Sequence, residues 1–194
     1  KFVFGSRKDY FSNLVKPLEA ELKTLSKPNR TAEKALAKFK QEARTKGELR
    51  NNWTYLHNRI GMVTNMVIQA ANGGKTHLVW QDDIWANFEP DRKIPFGTRE
   101  LNALNLEVAK GARAITAFFV TNLSERALMT NLSFTADKTA KPLEPLVRFR
   151  EMAFIELHGG VMIPDPVFEL PLGSMLRVAP GNTGVVWLDI DTSK

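Results

Sequence analysis

Cysteine is absent from the 194 residues, which excludes a disulfide scaffold, a thiolate metal site and a cysteine nucleophile. Long hydrophobic runs are absent as well. Stretches such as Ala114–Val120 fall far short of the roughly 20 apolar residues that span a bilayer. Histidine is scarce: His57, His77 and His158 are scattered with no His-Glu-x-x-His spacing, so zinc is not expected. No serine stands in a Gly-x-Ser-x-Gly elbow. The glycine pairs after Asn72 and His158 lack the spacing and lysine of a phosphate loop, and read instead as a helix stop and a hairpin turn. No cofactor is expected. There is no initiator Met and no leader-like segment, so the chain reads as a mature or excised one. Four Asn-x-Ser/Thr triplets occur, at Asn29, Asn52, Asn122 and Asn131, and carry no weight by themselves.

Charge is present but uneven. Residues 1–60 hold 14 Lys/Arg against 6 Asp/Glu, or +8, whereas residues 61–194 hold 13 against 15, or −2. The shift predicts two parts with different surfaces, and makes nucleic acid, anionic lipid or an acidic partner the candidates for the first. Against nucleic acid, the lysines read as distributed around helices, with no recognisable reading motif, so it is not expected.

The first third has helical periodicity. Tyr10, Leu14, Leu18, Leu22 and Leu25, widened by Phe11 and Val15, mark one apolar face, with Pro17 predicting a kink or a break. Thr31 is the predicted N-cap of a second helix through Lys46, closed by Gly47. Leu49, Trp53, Leu56, Ile60, Val63 and Val67 predict a third helix, ended by Asn72-Gly-Gly. From Lys75 the period becomes that of strands: His77–Gln81, Leu104–Val108, Ala114–Thr121, Leu128–Thr135, Leu146–Leu157 as a pair or bent strand, Met175–Val178 and Gly184–Ile190. The expected fold class is α+β: a basic helical hairpin or three-helix segment over 1–74, then an antiparallel jelly-roll-like β-sandwich over 75–194. The sandwich is expected to stop before its last strand. The strand ending at Asp191 should then present an edge that is exposed, covered by the helical segment or paired with another chain.

Several stretches carry a family resemblance. Val79-Trp-Gln-Asp-Asp-Ile-Trp-Ala-Asn-Phe-Glu-Pro-Asp91, Leu104-Asn-Leu-Glu-Val-Ala-Lys-Gly-Ala-Arg-Ala114, Phe119-Val-Thr-Asn-Leu-Ser124, Ile163-Pro-Asp-Pro-Val167 and Val178-Ala-Pro-Gly-Asn-Thr-Gly-Val-Val-Trp-Leu-Asp-Ile190 follow one another in order. Over residues 77–194 this order resembles the β-sandwich that precedes the barrel of large bacterial glycoside-hydrolase-like proteins, a group that includes β-N-acetylgalactosaminidases. The resemblance implies an extracellular or periplasmic setting and an acidic catalytic pair on a barrel that lies outside these residues, so no catalytic residue is assigned here.

The candidate carbohydrate-binding residues are Trp80, Trp85, Asp82, Asp83, Asn87 and Asp91, because sugars are held by an indole face with polar groups alongside. Trp80 and Trp85 equally suit the space between two sheets. Trp187, alternating with Val185 and Asp189, reads as core. Asp82 and Asp83 are adjacent and point to opposite faces of a strand, which does not suit a catalytic pair. The acidic stretch lacks the EF-hand spacing for calcium, and no metal is expected. The expected role is a non-catalytic accessory module of an extracellular carbohydrate-active protein, with a glycan and the parent chain's catalytic barrel as partners and no membrane span. The alternative is an assembly protein that oligomerises through its open sheet edge while its basic helices dock to a partner or an anionic surface.

Overall fold

The computed structural model describes residues 7–46, 53–83, 94–95, 97–104, 106–133, 146–157, 161–170 and 173–193. The chain divides into two compact units, residues 1–76 with 95–98, and residues 77–94 with 99–194. The fold class is α+β, with helices first and antiparallel sheets after.

The first unit holds α1 (Arg7–Thr24), α2 (Arg30–Lys46) and α3 (Trp53–Ala71), each in contact with the other two. Pro17 lies inside α1, which is assigned as one helix across it. Its buried side chains are Phe11, Val15 and Leu18, with Leu14 and Leu22 partly covered, so the seam is centred one residue away from Tyr10, which is exposed. The N-cap of α2 is Asn29 rather than Thr31: its Oδ1 accepts the Ala32 backbone N–H at 3.0 Å, satisfying a donor of the first turn. Leu36 and Phe39 of α2 and Leu56, Ile60, Val63 and Val67 of α3 complete the core, where the Phe11 and Phe39 rings meet edge-on at 5.8 Å. Glu42 of α2 ties down α3, facing the Arg59 guanidinium at 3.7 Å and accepting from the Tyr55 hydroxyl at 3.3 Å. Glycine ends α3 as expected: Gly73 and Gly74 take positive φ, and the Gly74 N–H returns to the Gln69 carbonyl at 2.8 Å. Leu49, Gly47 and the side chain of Trp53 lie outside the described residues.

The second unit holds β1 (His77–Trp80), β2 (Arg113–Asn122), β3 (Leu128–Asn131), β4 (Val147–Leu157), β5 (Val161–Leu170), β6 (Met175–Val178) and β7 (Thr183–Asp191). One sheet runs β1-β2-β7-β4-β5 and a second pairs β3 with β6. The two layers share a core in which Val120, Phe149 and Val186 meet Leu132, Leu176 and Val178. Gly184 permits this approach, since a Cβ there would stand 3.1 Å from Val178 Cγ2.

Two expectations are corrected, and one strand is added. The strand ending at Asp191 offers no free edge along most of its length: β7 pairs with β2 throughout and with β4 from Val186 to Ile190, and β1 and β5 take the sheet edges. Leu104 and Leu106–Val108 are not strand. Val161–Leu170 is strand despite Pro164 and Pro166, and it sits at an edge, where a missing N–H need cost no ladder bond.

Asn122 stitches this unit together. Fully buried, its amide donates to the carbonyls of Arg126 at 2.7 Å and Val178 at 3.0 Å, while its Oδ1 accepts from the Ser124 N–H and hydroxyl at 3.0 and 2.7 Å. Every hydrogen-bonding capacity of the side chain is used.

In the helical unit, Phe39→Ala empties a site that is 0% exposed. A loss of about 3–5 kcal/mol in urea unfolding is expected, and a loss within about 1 kcal/mol would show that the seam does not hold the helices together.

Candidate functional site

β1 delivers Trp80 to the face of the sheet opposite Val79. The indole is 1% exposed and stacks on Phe119 at 4.5 Å between centroids, in line with their cross-strand pairing. Its Nε1 donates to the Thr121 hydroxyl at 2.8 Å, and that oxygen lies 2.8 Å from the Thr183 hydroxyl. A buried polar rung thus crosses β1, β2 and β7, and the indole N–H that a sugar would need is already satisfied. Trp80 is a packing residue, which corrects its place among the sugar-binding candidates.

Asp82 and Asp83 follow the end of β1 and are exposed. Asp82 Oδ1 accepts the Asp83 N–H at 2.8 Å, a local turn contact. Trp85, Asn87 and Asp91 lie outside the described residues, so the structure places only the first half of the expected constellation. Gln81, one residue beyond β1, donates to the Thr116 hydroxyl at 3.1 Å. Among the described residues no group of three or more His, Cys, Asp or Glu is arranged to hold a metal ion. His57 is stacked on Tyr10 at 5.7 Å and His77 is exposed at the start of β1, while His158 lies outside the described residues.

The charged centre of the sheet unit lies elsewhere. Asp189, 3% exposed, points to the same face as Val185 and Trp187 on the central strand. Directly across from it stand Ile115 on β2 and Arg148 on β4. Two arginines reach it diagonally. Arg113 grips both oxygens, its Nε donating to Oδ1 at 2.6 Å and its Nη2 to Oδ2, and Arg150 donates to Oδ2 through Nε and Nη2 at 3.2 Å. The hydrogen-bonded Arg113 guanidinium holds the Asp189 carboxyl below the usual carboxylate range, outweighing burial, which pushes it up. Arg113 in turn is raised by Asp189. Arg148 faces Glu169 of β5 at 3.5 Å. The result is a charged belt that crosses β2, β7, β4 and β5, with its one deeply buried member doubly compensated.

A signal for Asp189 exists in the chain. An aspartate in phase with Val185 and Trp187 is aimed at a core face, and a buried carboxylate demands cationic partners. Which arginines supply them depends on strand order, because Arg113 lies 76 residues away in sequence.

Neither a protein-family model nor a curated protein matches the chain. Trp187, expected as core, is half-buried beside Arg150, its direct cross-strand partner.

Two outcomes follow from this geometry. Asp189→Asn leaves two guanidinium groups without their anion, and a loss of about 1–3 kcal/mol at pH 7 is expected in urea unfolding. Because the folded pKa is depressed, the carboxylate's contribution is present above its unfolded value near 4 and is lost as pH falls through the lower folded value. The gap between wild type and variant should therefore begin to narrow below about pH 4 and close beneath the lower folded value, and a gap that persists unchanged in acid would refute the pairing. Trp80→Phe keeps a ring against Phe119 and loses the hydrogen bond, costing about 1 kcal/mol. Its glycan binding should equal that of the wild type, and an affinity lost with the fold intact would return Trp80 to the binding site.

Proposed function

We propose that this chain is a non-catalytic accessory module of an extracellular or periplasmic carbohydrate-active protein, and that the sheet unit serves to position a catalytic barrel supplied by the parent protein. The observation that carries this reading is the placement of the run Val178–Ile190, one of the two longest stretches behind the family resemblance. It contributes the end of β6, the turn and most of the central strand β7. A motif in that place acts as framework.

The chemistry of the side chains supports the same reading. Trp80 and Asp189, a ring and a carboxylate of the kinds that bind or cleave sugars, are spent on Thr121 and on two arginines. Glycan contact in this reading falls to the segment from Asp82 to Asp91, whose first two carboxylates are exposed. The assembly alternative loses one of its two supports, since the strand meant to accept a partner is paired on both sides. Its other support, the basic helices, stands.

Turnover of aryl β-N-acetylgalactosaminide and related aryl glycosides decides the matter. The purified 194-residue chain should give no turnover, and its parent gene product should cleave at least one of them. Turnover by the chain itself, or a parent without barrel-borne carboxylates, would sink the proposal.

A further inference from the structure

The cations of the helical unit are sorted by helix. α3 carries a single charged residue, Arg59, and Glu42 neutralises it. On α1 and α2, by contrast, Lys16, Lys23, Arg30, Lys34, Lys38 and Arg44 are all exposed, and among the described residues none has a side-chain hydrogen bond or ion pair. The distribution around all helices expected from the sequence is therefore replaced by a basic face on two of them.

That face has shape as well as charge. A groove between α1 and α2 opens into sections of about 680 and about 300 Å³, and the Glu19–Lys40 ion pair borders both. Lys16, Lys23 and Arg44 line it with the apolar Leu22 and Leu36 and the neutral Gln41 and Thr45, and Glu33 is the one carboxylate there besides Glu19 among the described residues, which leaves the lining net positive. Beside it, Arg30, Lys34 and Lys38 recur every fourth residue along α2, about 6 Å apart along the axis. Like charges at this spacing repel and weaken an isolated helix. Arg30 with Lys34 and Lys34 with Lys38 repeat that conflict, which a bound polyanion removes.

We infer that the α1–α2 face docks an acidic polysaccharide, a chain bearing carboxylate or sulfate groups at regular intervals. Lysine predominates in the row, and its compact charge on a flexible stem suits single anions dispersed along a chain. Among the described residues of this unit the large exposed apolar ones, Tyr10, Tyr55 and Met62, do not line the groove, and Tyr10 is turned toward His57 of α3. Among the described residues the groove thus offers no exposed ring to stack on bases and no large exposed apolar group to enter a lipid surface. The choice of a polysaccharide among linear polyanions rests on the carbohydrate-active reading above.

The test titrates the 194-residue chain with polygalacturonate, heparin and neutral dextran, alongside a DNA duplex and phosphatidylserine vesicles at equal anionic charge. At least one acidic polysaccharide should bind more tightly than duplex or vesicles, dextran should not bind, and affinity should fall at least about tenfold between about 50 and about 300 mM salt. The charge swap Lys34→Glu with Lys38→Glu should weaken binding at least about tenfold, with helix content retained by circular dichroism. Arg126→Glu with Arg177→Glu, on the sheet unit, removes the same charge and should leave affinity within about twofold. If the helical swap misfolds, Lys34→Gln with Lys38→Gln replaces it, with the same direction expected. No acidic polysaccharide binding, equal losses in the two swaps, or preference for DNA or vesicles would each overturn the inference. The glycoside turnover assay does not depend on these outcomes, so failure here is distinguishable from failure of the accessory reading.

Discussion

Everything in the sheet unit depends on the two-sided pairing of β7. Val186 is matched to Phe118 of β2 on one side and to Glu151 of β4 on the other, and both faces of the strand carry buried side chains, Val186 on one and Val185 with Asp189 on the other. Its Val186 side seals the layer against β6, where Gly184 lets Leu176 and Val178 come close. Its Asp189 side draws Arg113 and Arg150 inward from the flanking strands. Without this strand β2 and β4 have no common neighbour, and β1–β2 and β4–β5 are left as separate antiparallel pairs. The order also has a kinetic side. β2 and β7 are paired across more than sixty intervening residues, so loop-closure entropy is spent before the central ladder returns any energy, a topology associated with slow folding.

Local physics was legible in the chain and partnership was not. The seam of α3, the glycine stop at Gly73 and Gly74, and the strands around Ala114–Thr121 and Gly184–Ile190 follow from periodicity and turn chemistry alone. Asn29 displaced Thr31 as the cap because either residue type satisfies the same donor, and only the position of the first helical turn decides between them. The strand pattern leaves β5 unmarked, and its two prolines suit a strand only where it lies at an edge. Edge or centre is a property of strand order, and strand order is set by contacts between residues far apart. The misjudged position of β7 has the same origin: its sequence says strand, and nothing local says how many neighbours it has.

The candidate site divides along the same line. The exposure of Asp82 and Asp83 accords with their turn character, whereas Trp80, beside them in sequence, is buried because the first strand of the sheet ends on it. A tryptophan at the last position of a strand can face either way, and the alternation from Leu78 carries this one inward. The two units therefore present contrasting surfaces. The sheet unit turns its ring and its carboxylate inward, and the helical unit keeps Lys16, Lys23, Lys34 and Lys38 outward.

The saturated amide of Asn122 has a consequence for how the chain can be made. Asn122-Leu-Ser is one of the acceptor triplets for an N-linked sugar, and its side-chain nitrogen is buried and already donating to Arg126 and Val178. An oligosaccharide attached to that nitrogen as the nascent chain emerges would place a bulky, hydrated group where the fold requires a dry one. The bend after β2 could not then close against β6. A route of synthesis that decorates this triplet before folding is thus incompatible with the native sheet unit.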